Sequence, residues 1–494
     1  ATAETPQKAQ RVADLDERIT REQARAAERA AAEARKARER AEKERIAAEN
    51  ARIDAALAEI NALPPAEALE RSRAFYAANP GNERVANAHA RLLTRAWEWQ
   101  EAEAVYMSML GSQDGVSDAV LVENNGAVLG LVDLYSRTNR LALANQWLAR
   151  LEAAYAAGSA PERIAKLRGR IDDDLRPDQF SGSITVSVGY NSNVSAPDDD
   201  FFDDNQTEDL LPDEGSSFVG ADLRMRYDRV ISPNGDRLRF QARLEGRPYL
   251  EFSGVDRASY DLNGGYVYNV PGTRAEIQAL IGFKSRYIDY ESYRRTLYGL
   301  LNYNTDINPL TSTAATLRLE ANDDDESDLD GWAVEGDGRV TYDLTPQTTL
   351  GLRGNARWED AQTAEDSRGI IGATFSIRQE FDIGSVTGFY ALASYNPYFT
   401  RYGGPLTSGV DTGVVRQDFT QKVAVAIGRN VSPLWRLELG GNYSIRSSNV
   451  EGKDDNGAEI KFSVTRLFSG GSTVESDDDT LQPRVSQTGA LSWR

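Results

Sequence analysis

The stretch Val219-Gly-Ala-Asp-Leu-Arg-Met-Arg-Tyr-Asp228 decides the fold. Successive side chains of a strand point to opposite faces. Val219, Ala221, Leu223, Met225 and Tyr227 therefore share one face, and Asp222, Arg224, Arg226 and Asp228 share the other. The same alternation recurs from about residue 181 onward. It predicts strands over 182–192, 216–229, 236–250, 257–269, 273–288, 292–304, 311–321, 331–343, 348–360, 367–380, 385–399, 411–429, 433–447 and 457–468. A soluble sandwich uses shorter strands and buries one face. These are long enough to cross a tilted bilayer.

Turns reinforce the reading. Ser232-Pro-Asn-Gly235, Pro271-Gly272, Thr345-Pro346, Asp382-Ile-Gly384 and Ser432-Pro433 are tight-turn sequences. They alternate with longer, often acidic connections at 193–215, 322–330, 360–366, 400–410 and 448–456. Short turns on one side and long loops on the other are the asymmetry of an outer-membrane barrel. The expectation is an α+β multidomain chain, with an N-terminal helical part followed by an antiparallel transmembrane β-barrel of about fourteen strands. Residues 485–493 alternate once more. Because bacterial single-chain barrels have even strand numbers, the alternative is about sixteen strands.

The chain before residue 181 divides into two regimes. Residues 7–62 are dominated by Ala, Glu, Arg and Lys, strong helix formers with opposite charges at helical spacing, such as Glu17 and Arg21. They predict either a solvated helix or a coiled-coil arm that binds a partner. Residues 65–175 read as paired amphipathic helices, interrupted at Asn79-Pro-Gly-Asn82. Small residues (Ala102, Ala104, Ala142, Ala144) alternate there with the large rings Trp97, Tyr106, Tyr135 and Trp147. This resembles tetratricopeptide repeats, with a generic helical bundle as the alternative. The four aromatic residues are candidates for partner binding. The expected domains are an arm at 1–62, a helical domain at 63–178 and the barrel at 179–494.

Composition excludes several classes of function. The 494 residues contain no cysteine, so thiol nucleophiles, disulfides and thiolate metal sites are ruled out. The net charge of −20 argues against nucleic acid as a partner. His89 is the only histidine and precedes the strands, so no histidine-dependent hydrolase site is possible in the barrel and no enzyme is expected. No cofactor is expected. Glu326-Ser-Asp-Leu-Asp330-Gly331 is half of a calcium-loop pattern without its closing glutamate, and no metal site is assigned to it. The opening Ala-Thr-Ala looks like the mature terminus of a secreted precursor.

Strand parity also gives the lumen. A charge facing lipid at the midplane costs roughly 2–4 kcal/mol, so Arg224, Arg226, Arg239, Arg243, Glu245, Arg353, Arg357, Arg436, Glu438 and Arg446 are expected to line the interior. They serve either as cross-braces paired with carboxylates or as a ladder guiding an anionic substrate. Tyr190, Tyr249, Tyr268, Tyr287, Trp332, Trp358, Tyr395 and Trp435 fit interfacial girdles.

The order of a helical repeat-like domain followed by a barrel, with Val188-Gly-Tyr-Asn-Ser-Asn-Val-Ser195 at the first strand and Leu491-Ser-Trp-Arg494 at the end, resembles the surface lipoprotein assembly modulators, or type XI secretion translocons. More distantly it resembles exopolysaccharide export porins. The first resemblance implies export of a surface lipoprotein or secreted protein, received from the periplasm by the helical domain. The second implies export of a polysaccharide. A structural outer-membrane anchor is a third alternative. Outer-membrane lipid, lipopolysaccharide and a periplasmic protein are the expected partners.

Overall fold

A computed structural model describes residues 6–111, 116–155, 161–193, 215–252, 256–324, 330–407 and 411–470, with side chains at 25 and from 27 onward. The Asp198–Asp200 and Asp477–Asp479 runs, the core of the half calcium loop, and the alternating segment 485–493 lie outside the described residues. The chain forms two compact units, divided between Met109 and Leu110.

The first unit is helical: α1 (Pro6–Asn61), α2 (Pro65–Ala78), α3 (Glu83–Arg95) and α4 (Trp99–Leu110), whose last residue falls across the division. The long α1 follows from its composition. From Glu28 to Glu49 every side chain is exposed, stapled by pairs such as Arg35–Glu39 (3.1 Å) and Arg45–Glu42 (2.7 Å). Near its end Ile53 and Ile60 turn inward. Pro65 starts α2, where its missing N–H is no loss. Asn82 caps α3, its side chain accepting from the backbone N–H of Arg84 and Val85.

His89 is buried in this unit, with Nδ1 2.8 Å from the Ser72 hydroxyl and its ring stacked 4.9 Å from Tyr76. Burial pushes the imidazole below its ordinary pKa. The folded chain then binds fewer protons than the unfolded chain just below pH 6.5, so this contribution is full above that value and is lost as pH falls toward the depressed one. The helical signal at 222 nm is expected to melt at lower temperature at pH 5 than at pH 7. His89→Asn should remove most of that difference; an unchanged difference would rule His89 out as its source.

The second unit opens with α5 (Asp118–Glu123), α6 (Asn125–Arg137), α7 (Leu141–Ala154) and α8 (Glu162–Asp174). Leu121, Val128, Leu131, Leu134, Leu148, Leu151 and Ile164 form its helical core. Tyr135 and Trp147, and Tyr106 in the first unit, are buried too. Sequence reading offered these three rings as partner-binding residues. Burial makes them packing residues, since a helix spends its large aromatics on its own core first. Trp97 differs: it sits half-buried at φ 68 in the α3–α4 turn, 5.3 Å from the Trp99 ring.

The strands are β1 (Asp178–Asn191), β2 (Ser216–Val230), β3 (Arg237–Arg247), β4 (Arg257–Asn269), β5 (Glu276–Ile288), β6 (Glu291–Asn308), β7 (Thr311–Asp324), β8 (Gly331–Thr345), β9 (Thr348–Ala361), β10 (Arg368–Ile383), β11 (Val386–Pro405), β12 (Val415–Ser432), β13 (Trp435–Ser448) and β14 (Asp455–Gly470). Each pairs antiparallel with its sequence neighbours, and β1 closes on β14 with Phe180 opposite Gly470 and Asn191 opposite Glu459. The barrel has fourteen strands, and every strand has two partners, so no edge remains for a further strand.

Alternation holds around the whole wall. The outward positions are apolar and open, with Phe240 53% and Ile281 71% exposed, and Leu297, Leu319, Leu352, Ile371 and Val425 exposed beside them. A continuous apolar belt of this kind has no place in water and is the surface that meets lipid. Trp332, Trp358 and Trp435 lie outside near strand ends, as interfacial rings do. Tyr249 departs from the expected girdle. Pro248 ends β3, and Tyr249 turns inward to pack on Phe218 at 6.0 Å.

Candidate functional site

The lumen is the candidate site, and the period of two places its side chains. One end carries the tight turns (231–236, 270–275, 309–310, 346–347, 384–385, 433–434); the other carries the longer loops, except where β5 and β6 join through Asp289 and Tyr290, both at positive φ.

At the turn end, α6 and α7 grip the barrel. Their connection accepts the Gly272 N–H on Thr138 O (2.8 Å) and donates Asn139 Nδ2 to Ala275 O (2.9 Å). The Ala142 N–H donates to Asn234 Oδ1 (3.3 Å). Gly235, at φ +82, leaves room for Leu141, whose Cδ1 would lie 2.9 Å from any added Cβ.

The ten residues expected to line the interior all sit on the parity opposite the apolar belt, and most face a counter-charge. Arg224 and Arg243 both hold Asp222 (2.9 Å each), and Arg243 also holds Glu245 (2.8 Å). Asp228 is held by Arg226 and, at 2.9 Å, by Arg239, which is only 1% exposed and reaches on to Glu276. Arg353 bonds Asp337, while Arg357 bridges Glu320 (2.7 Å) and Glu335 (3.5 Å). Glu438 accepts from the Tyr390 hydroxyl (2.6 Å), and Arg446 donates to Lys453 O (3.0 Å). Arg436 lies on the same inward parity of β13.

Sequence reading missed the densest part, at the loop end. Arg294 on β6 holds Asp324 on β7 (2.7 Å) and reaches Glu359 on β9 (3.4 Å). Glu359 also accepts from Arg368 on β10 (2.9 Å). Arg416 pairs with Asp418 on β12 (2.7 Å), and Arg247 on β3 with Glu459 on β14 (3.0 Å). Arg257 lies over the Tyr249 ring (5.5 Å). All of these charged groups but Arg247 are buried or nearly so, Arg416 at 1% exposure. A water-filled bore would wet them. At this level the lumen is packed, and opposite charges pair with one another. The parity rule would have found Arg294, Arg368 and Arg416 had it been carried to the ends of β6, β10 and β12.

The exterior belt, the closed wall and the charged interior define a membrane-spanning β-barrel of the outer-membrane type. No protein-family model matches the chain, and no curated protein matches it. Among solved structures it is similar to a bacterial polysaccharide outer membrane secretin (9% identity, TM-score 0.34, 58% of this chain and 98% of that one). It is similar to an anion-selective porin from Comamonas acidovorans (10% identity, TM-score 0.33, 59% and 99%). It is also similar to OmpT, an outer membrane protein of Vibrio cholerae (10% identity, TM-score 0.33, 59% and 97%). Likenesses this distant assign neither a family nor a substrate.

Proposed function

We propose that this chain is an outer-membrane translocation channel whose barrel passes a protein, a surface lipoprotein or secreted protein, received at the periplasmic end by tetratricopeptide-like helices. The observation that carries the reading is the grip of α6 and α7 on the turns of β2–β3 and β4–β5, which fixes these helices at the tight-turn end of the barrel. A receiving module belongs at the entrance, and in outer-membrane barrels the tight-turn end faces the periplasm. The ten inward charged residues then line the route, Trp97, half-buried where Tyr106, Tyr135 and Trp147 are buried, contributes to partner binding, and α1 is an arm for a second contact. The packed loop end is the resting, closed state of the exit.

Deleting the gene in its own bacterium and comparing surface proteins with surface glycans tests this. The expected result is loss of one surface protein with glycans intact. Loss of glycan alone would reassign the cargo to a polysaccharide, and no change in either would leave the barrel as a structural anchor.

A further inference from the structure

We propose that Arg339 and Arg353 form an oxyanion-binding subsite on the lumen wall, open to solutes that enter from the turn end. This stands on the barrel alone and does not depend on the export reading. The two arginines are directly opposed in the β8–β9 register, both on the inward parity. Facing residues of an antiparallel pair hold their Cβ atoms about 4.5–5.5 Å apart, and like charges there repel. Elsewhere in this lumen arginine clusters are matched by carboxylates: Arg224 and Arg243 share Asp222, and Arg243 adds Glu245.

Here the balance fails. Asp337 is committed to Arg353. Among the described residues Arg339 has no hydrogen-bond or ion-pair partner. Its neighbour across β7 is Ala314, and across β9 the residue beyond Arg353 is Gly351. Asp343 lies four residues further along β8, about 13 Å away at strand rise, and takes a hydrogen bond from Thr349 (2.7 Å). One wall patch therefore holds two guanidinium groups, one carboxylate and small flanking side chains. The missing partner is an anion, and a guanidinium fork matches the oxygens of a carboxylate, sulfate or phosphate.

Equilibrium dialysis of radiolabelled inorganic sulfate against the full chain, purified in detergent, tests the site at low ionic strength. Saturable binding by the unaltered protein is expected. Arg339→Gln should weaken it at least about tenfold, the scale of one lost charge-assisted contact. Asp337→Asn should strengthen it, because it removes the patch's only carboxylate. That opposite sign cannot arise from misfolding. Absence of saturable binding in the unaltered protein, or equal binding by Arg339→Gln, would overturn the proposal, as would weaker binding by Asp337→Asn.

Discussion

Glu359→Gln is expected to cost the barrel about 3–5 kcal/mol, the penalty for removing one partner from a buried ion pair. Glu359 is buried near the loop end of β9 and serves arginines from three strands: Arg294 (3.4 Å), Arg368 (2.9 Å) and, on its own strand, Arg357 (3.6 Å). Glutamine keeps the shape and an acceptor oxygen, so the loss is charge rather than volume. Arg294 retains Asp324 at 2.7 Å and Arg357 retains Glu320, so the deficit concentrates on Arg368. The matched control is Glu380→Gln. Glu380 pairs with Arg378 at 3.0 Å, but its side chain is 54% exposed, so the change should cost about 0–1 kcal/mol. Urea unfolding of both variants in detergent separates them. Equal midpoints would mean that the loop-end lattice is wet, contrary to its burial.

The same substitution bears on function. If packed charge closes the exit, loosening it raises steady conductance across a planar bilayer, whereas Glu380→Gln leaves conductance unchanged. A wide-open unaltered channel would contradict closure directly. The pairing logic also explains how the lumen tolerates so many arginines: for most of them the cost of desolvation is offset by carboxylates fixed on the same, neighbouring or distant strands.

The fold was legible because it rests on a local rule. Period-two alternation needs no knowledge of partners, so β4 was read at its observed bounds and β2 within one residue. Errors occur where local chemistry interrupts that rule. Predicted β3 ran to 250, but Pro248 lacks the N–H to continue the ladder, and the strand ends at Arg247. Predicted β12 began at 411, but Gly413 at φ +89 makes a turn there, and the strand begins at Val415. The candidate site was less legible for a different reason. Parity says which face a charge takes but not which charge it meets. Arg294 and Glu359 lie on strands separated by two others, and Arg247 meets Glu459 across 212 residues of sequence. In the helices, the 3.6-residue period marks a buried face without saying whether a ring there meets its own unit or another protein. Tyr135 and Trp147 were ambiguous for that reason.

Asn139→Ala is expected to destabilise the second unit by about 1.5–3.5 kcal/mol, from two separable sources. Asn139 holds φ 55, a left-handed conformation that costs an ordinary L-residue about 1–2 kcal/mol but that asparagine tolerates. Its buried Nδ2 also donates to Ala275 O at 2.9 Å; that carbonyl keeps the Val270 N–H at 2.9 Å, so losing the amide forfeits one hydrogen bond, about 0.5–1.5 kcal/mol. Asn139→Gly keeps the backbone comfortable and loses only the donor, so it should recover the first share and not the second. If the α6–α7 connection truly fixes the helices on the turns, both variants should speed proteolysis within 116–175 while leaving the barrel's resistance intact. Asn139→Gly should be the milder of the two. Equal, near-zero effects would mean that the remaining contacts, Gly272 to Thr138 and Ala142 to Asn234, hold the module unaided. A loss in Asn139→Ala fully restored by Asn139→Gly would show that asparagine is needed for the turn and not for the grip.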